Sequence, residues 1–283
     1  MRFKTKDGAY VESSPIAHTV NSLLLRRFPE GEVDWGRYAH QYDAVTVEVK
    51  RAYKEIMRMP LESDVADKLD YANHELVCDL GAGTGNLSIP LASRYPHITV
   101  AHVDFDPTYN GIAEAKARGA GVSNIDFHVA DGEGVKSVQE QYGKPFDIVF
   151  VIHALYSMRS KDDMEKPLRV LRAIHGSLRE GGYIWVCDIE KELNFLLLMV
   201  DWLISATRKY GLRRALALFK EVDQAKHQNA NVIRKLRDGT YITQPIEGLI
   251  HMLREAGFSE GNIVFKSGFK YYHGYDNIVV AGK

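Results

Sequence analysis

Two rhythms divide the chain. In residues 1–74, apolar side chains recur at helical spacing through Val45, Val49, Ala52, Tyr53, Ile56 and Met57, which predicts helices with no strand ladder, and so a helical N-terminal cap. From Glu75 the rhythm changes to short, almost uniformly apolar runs at Leu76–Leu80, Ile98–Asp104, Ile125–Ala130, Phe146–Ile152 and Tyr183–Asp188. Runs without polar alternation predict parallel strands covered on both faces. Pro107–Arg118 and Lys166–Leu178 read as the helices between them, the second with a stripe at Leu168, Leu171, Ile174 and Leu178 and Gly181-Gly182 as its stop. Residues 189–242 interrupt the alternation with more than one helix and read as an inserted lid; a helix over Glu247–Ala256 ends at Gly257. Two last runs, Ile263–Lys266 and Asn277–Ala281, predict an antiparallel pair. The fold class expected is α/β, a seven-stranded, mostly parallel sheet with helices on both faces, spanning 75–283 with a helical insertion at 189–242.

Composition narrows this picture little. The 283 residues are 45% hydrophobic and 26% charged, as in an ordinary globular protein. Charge is more informative: 36 Lys plus Arg oppose 37 Asp plus Glu, without the basic excess that phosphate backbones favour, so no nucleic-acid partner is expected. Cys78 and Cys187 fall inside predicted central strands and imply no oxidising compartment. The opening residues lack an apolar signal segment, and the apolar stretch Leu193–Ala206 contains Asp201 and is too short to span a bilayer. A cytoplasmic protein without a transmembrane segment is expected. That same stretch, with Phe195, Leu196, Leu197, Leu198, Met199, Trp202, Leu203 and Ile204, is too apolar all round for an exposed helix. It should be covered by the domain, by a partner subunit as in a homodimer, or by a lipid-like substrate. Arg208, Lys209, Arg213 and Arg214 follow it as a solvated basic face.

The chemistry concentrates in Val77-Cys78-Asp79-Leu80-Gly81-Ala82-Gly83-Thr84-Gly85-Asn86. An apolar strand runs into glycines at alternate positions and then into a helix, whose early position suits Pro90. Side chains at the glycines would block both the sharp turn and the close approach of backbone to a ligand. Dinucleotide loops space their glycines one, three and six so that a pyrophosphate sits on the helix N-terminus. Here the spacing is one, three and five, and Asp79 stands two residues before Gly81, where a carboxylate repels pyrophosphate and attracts a cation. This arrangement resembles motif I of the class I methyltransferases dependent on S-adenosylmethionine (SAM), of the small-molecule type.

The resemblance implies a Rossmann-like fold, SAM as cofactor, and a set of contacts. Asp79, Gly81, Ala82, Gly83 and Gly85 would form the cofactor turn. Asp104, in His102-Val103-Asp104-Phe105-Asp106-Pro107, would accept the ribose hydroxyls with Phe105 beside it, Asp106 being the neighbour that could be confused with it. Asp131 and Gly132 would lie near the adenine. The exit of the fourth strand, from Ile152 to Met158, would face the methyl acceptor, making His153 a candidate for both cofactor contact and proton removal and Tyr156 a candidate pocket wall. Tyr38 and Tyr42 resemble the aromatic cover that such enzymes place over the cofactor. Each residue also has a bland reading: Asp104 as a helix cap, Asp131-Gly132 as a turn pair, His153 as a structural strand-end group, Tyr156 as packing. His227, Tyr241, His251, Tyr272 and His273 lack the spacing of a zinc site, and no metal is expected.

The implied activity is in-line transfer of a methyl group to an O or N atom of a small-molecule acceptor. The alternatives are a non-methylating SAM-using enzyme on the same fold and a SAM-binding regulatory subunit without turnover. An amino-methylating nucleic-acid enzyme is disfavoured because Ile152-His153-Ala154-Leu155-Tyr156 lacks the Asn/Asp-Pro-Pro-aromatic signature that grips a flipped base.

Overall fold

The computed structural model describes the chain except residues 1, 5–9, 13–18, 20, 24, 27, 29, 32–33, 44–50, 191, 193, 222, 244 and 272–273, so Val45, Val49, Leu193, Tyr272 and His273 lie outside the described residues. Its centre is a seven-stranded sheet of β1 (Leu76–Leu80), β2 (Thr99–Asp104), β3 (Ile125–Val129), β4 (Phe146–Ile152), β5 (Leu178–Ile189), β6 (Ile263–Tyr271) and β7 (Gly274–Gly282). In space the order is β3-β2-β1-β4-β5-β7-β6. The first five strands run parallel, whereas β7 is antiparallel to both β5 and β6. The order reverses between β1 and β4, which opens a crevice beyond the carboxyl ends of these two strands.

The uniform apolarity of β1 and β4 has the expected cause, since every residue of both is buried. One core lies on the sheet face carrying Cys78, Val149, Val186 and Val279, under helices Val135–Gln141, Lys166–Ser177 and Ile246–Glu255. A second lies on the face of Val77, Phe150, Trp185 and Val280, under Arg51–Glu62, Asp64–Lys68 and Ser88–Arg94. β3 is one of the two edge strands, and there burial fails, with Val129 exposed.

Two expectations are corrected. The N-terminal region is not all helical: Arg2–Lys4 and Tyr10–Glu12 pair as short antiparallel strands. Gly181-Gly182 does not stop the preceding helix. That helix ends at Ser177, Leu178 already pairs with Phe146, and the ladder resumes at Tyr183 opposite Ile148, so the glycines sit in a bulge where Gly181 takes a positive φ of 70°.

The insertion forms three helices, α8 (Phe195–Tyr210), α9 (Leu212–Glu221) and α10 (Asp223–Arg237). Trp202, Ala206, Ala215 and Ala225 pack with Tyr38 of the helix Trp35–Tyr42. Both Cys78 and Cys187 are free and buried.

Candidate functional site

The crevice at the strand ends is a cavity lined by the turn after β1, the ends of β2, β3 and β4, and the N-terminal helices. Three glycines shape the turn, each at positive φ: Gly81 (70°), Gly83 (56°) and Gly85 (78°). A Cβ on Gly81 would stand 2.5 Å from the Cβ of Ala154, so the turn after β1 is pressed against the turn after β4 and only glycine fits. Gly81, Ala82 and Gly83 line the cavity. Gly85 instead admits close packing, since its Cβ would meet Ile89 at 2.9 Å and Ala113 at 3.2 Å.

Asp104 emerges from β2 beside this turn. Gly83 N–H donates to its Oδ2 at 2.8 Å and Asp106 N–H to its Oδ1 at 3.0 Å. The carboxyl is buried, which raises its pKa against the lowering effect of these amides. Carboxylate oxygens held by two backbone amides keep lone pairs for further donors such as sugar hydroxyls. Asp106 is occupied otherwise, as the N-cap of the helix Pro107–Gly119, accepting from Thr108 N–H at 2.8 Å. Phe105 is exposed at the cavity edge.

Asp79 also lines the cavity, and burial pushes its carboxyl up to about 6. Ser88 Oγ donates to it at 2.5 Å and lies 3.0 Å from His102 Nδ1. Burial in turn lowers His102 to about 4, so that imidazole is neutral at pH 7. Asp131 caps the turn Gly132–Gly134 through Gly134 N–H at 3.0 Å and pairs with Lys166 at 3.1 Å. Burial raises its pKa, but the hydrogen bonds from Lys166 and Gly134 outweigh that and hold it below the ordinary value. Its capping role and its place on the cavity wall coexist, and Gly132 lines the wall beside it.

At the other end stands His153, at φ 53°, a left-handed conformation that is costly for a residue with a Cβ. Its N–H donates to the Cys187 carbonyl at 2.8 Å, and its Nε2 lies 2.9 Å from Asp276 Oδ2. Asp276, on β7, has no solvent exposure, and its second oxygen has no hydrogen-bond partner among the described residues. Asp188, on the neighbouring β5, is pushed up to about 8 by burial, partly countered by His153 and the Ile189 amide and reinforced by Asp276. His153 Nε2, Cys187 Sγ and a carboxylate oxygen of Asp276 lie within 4.8 Å of one another, a grouping that no local spacing announced. The 2.9 Å separation is that of a hydrogen bond, and burial pushes the Cys187 thiol up.

Aromatic rings close the remaining side. Tyr42 lines the cavity, edge-on to Tyr53 and Tyr109, with its hydroxyl 3.1 Å from that of Tyr53. Tyr38 is edge-on to Tyr42 but belongs to the cluster under the insertion. Tyr156 is buried against Tyr241, Val232 and Leu236 and does not line the cavity. Neither does any side chain of residues 189–242 among the described residues; the insertion supports the helix Trp35–Tyr42 from behind rather than roofing the cavity itself. Asp43 ties that helix to the turn, accepting from Thr84 Oγ at 2.5 Å and pairing with Lys116 at 2.9 Å.

Sequence reasoning missed Trp35, Asn86, Tyr109 and Lys166 as wall residues, and Tyr53 and Met57 except as helical apolar positions. Asn86 alone carried a local signal, following the third glycine.

Comparison with known proteins places this geometry. A family profile described as a methyltransferase domain matches residues 72–244. The chain is 25% identical over 152 residues to a ribosomal RNA small subunit methyltransferase G of Exiguobacterium sibiricum, a match covering 45% of this chain and 63% of that relative. It is 24% identical over 220 residues to a carboxy-S-adenosyl-L-methionine synthase of Nautilia profundicola, covering 76% of this chain and 81% of the relative. The crystal structure of magnesium protoporphyrin IX methyltransferase from Synechocystis with bound S-adenosylhomocysteine superposes with a TM-score of 0.53 at 18% identity, covering 95% of this chain and 97% of that one.

Proposed function

As the chain belongs to the methyltransferase-domain family, we propose that it is a cytoplasmic enzyme that moves the methyl group of SAM onto an O or N atom of a small-molecule acceptor. The observation that carries this reading is the joint placement of the Gly81–Gly83 turn, Asp104 and His153 around one cavity.

The residues fit the cofactor. A turn whose first glycine has no room for a side chain lets the backbone approach the ligand closely; Asp104, oriented by two amides, would hold the ribose; Asp131 and Gly132 would border the adenine; Asp79 would supply negative charge near a sulfonium. SAM when bound supplies an activated methyl group, so the protein's part is orientation, exclusion of water and management of one proton. Tyr42, Tyr53 and Tyr109 form the apolar wall that excludes water. His153 would take the acceptor's proton, with Asp276 Oδ2, 2.9 Å from its Nε2, orienting the ring. Burial pushes the neighbouring Asp188 carboxyl up to about 8. Tyr156 would act only through packing.

The test is turnover of purified protein with SAM and a fractionated metabolite extract, read by mass. A product heavier by one CH₂ equivalent, with S-adenosylhomocysteine released, is expected; a product bearing an aminopropyl or carboxymethyl group, or no turnover with any fraction, contradicts it. The second reading, a SAM-using enzyme that does not methylate, draws support from the 220-residue similarity to a carboxy-SAM synthase. Similarity to a ribosomal RNA methyltransferase makes RNA the acceptor class to test beside small molecules.

A further inference from the structure

Helix α8 is apolar on two opposite sides. Leu198, Trp202 and Ala206 form a buried row. Leu196, Val200 and Ile204 occupy the row about 200° away at 100° per residue and are 40%, 38% and 44% exposed. The stretch from α8 into α9 adds Tyr210, Leu212 and Leu216, so six of the ten exposed large apolar side chains among the described residues fall between 196 and 216. A helix with a charged outer face would have been the ordinary solution.

Apart from Asp201, the charges of the 196–216 stretch gather at one place. Every residue from Arg208 to Arg214, the corner where α8 turns into α9 at Gly211, is exposed. These seven residues hold Arg208, Lys209, Arg213 and Arg214 and no acid, in a chain whose net charge is -1. Leu212, 59% exposed, lies in sequence between the two pairs of cations. Exposed leucines flanked by cations, next along the chain to an exposed apolar helix row, are the composition of a surface that lies in a membrane interface.

We propose that the α8–α9 corner docks this protein onto an anionic lipid bilayer. Leu212, Leu216 and the Leu196–Val200–Ile204 row would enter the acyl boundary while the four cations engage negative headgroups. A second copy of the chain is a poor occupant, because a two-fold contact would bring the same four cations together. Nucleic acid would satisfy the cations but leave five aliphatic side chains facing phosphate and water. No helix among the described residues is long and apolar enough to cross a membrane, so the attachment is peripheral. Trp202, behind the exposed row, packs with Tyr38, and the helix Trp35–Tyr42 reaches the cavity wall. The docked face is thus one helix layer from the site. The inference stands whatever the acceptor is.

The test is cosedimentation of the full chain with vesicles of phosphatidylcholine alone and of phosphatidylcholine with phosphatidylglycerol, at low and high salt. Binding to the anionic vesicles should exceed that to the neutral ones by about tenfold or more and should weaken with salt. R213E/R214E should reduce it by about fivefold per cation or more. Leu212→Glu should reduce it comparably, and both variants should bind S-adenosylhomocysteine like the parent, which separates lost docking from misfolding or a failed cofactor assignment. Equal or absent binding to the two vesicle types overturns the proposal. So does indifference to Leu212→Glu, a parent dimer that Leu212→Glu dissociates, or an RNA oligonucleotide that displaces the chain from vesicles.

Discussion

Asp79, Gly81, Gly83 and Asp104 come from a single strand–turn–helix–strand unit, and their contacts are mostly with backbone amides a few residues away or on the adjacent strand. His153 and Asp276, at the other end of the same cavity, are 123 residues apart and meet only because β7 returns antiparallel beside β5. The first end is fixed by local chain geometry, which tolerates few residues but leaves the acids free to bind. The second rests on one long-range side-chain pair in the buried end of the sheet. A substitution at the first end should therefore act on cofactor affinity, and one at the second on turnover at unchanged affinity.

The largest effect that would sharpen this contrast is expected from Gly81→Val. Its Cβ would collide with Ala154 at positive φ, so S-adenosylhomocysteine affinity measured by calorimetry should fall by about a thousandfold, with a lower Tm. Unchanged affinity would break the assignment of the turn. His153→Gln should lower kcat by about a hundredfold while leaving SAM affinity within about threefold. Asp276→Asn, acting through His153, should lower it by about tenfold and shift the acid limb of the kcat–pH profile; a loss of affinity in either variant would erase the distinction between the two ends. Asp104→Asn keeps an acceptor for only one of its two amide donors and loses the charge, and should weaken cofactor binding by about tenfold or more.

The smallest effect is a pH dependence. The folded-state carboxyl of Asp79 titrates at about 6, above its ordinary value of 3.8. Its protonated form predominates below about 6, so affinity for the cationic SAM should decline by a few-fold from pH 7.5 to 5.5, and less for S-adenosylhomocysteine, which lacks the sulfonium. Because the folded value is the higher one, this group favours folding below its unfolded pKa, and that contribution is lost as pH rises through about 6. Asp79→Asn should therefore hold or raise Tm at pH 8 while weakening SAM binding. A lower Tm with intact binding would make Asp79 purely structural.

Legibility follows the same division. The strands with both faces covered, β1 and β4, were readable to the residue because uniform apolarity is a direct record of burial on both faces. β5 was read short, since Leu178 and the bulge residues do not carry the apolar signal. The glycine turn and Asp104 were readable because the physical requirement falls on adjacent positions. Asp276 was not: it sits in a stretch rich in Gly and Tyr, and only the antiparallel return puts it beside His153. Tyr53 looked like one more core position on the helix Arg51–Glu62, although it sits where that core meets the cavity. The insertion's apolarity was recognisable, but its direction was not; the row at Trp202 turned inward as expected, and the row at Val200 did not.

The most direct measurement is a crystal structure of the chain grown with S-adenosylhomocysteine. The ribose hydroxyls are expected within hydrogen-bonding distance of the Asp104 carboxylate, with the sulfur on the side of the cavity that faces His153. A cavity free of the compound at saturating concentration, or a ribose held away from Asp104, would contradict the account.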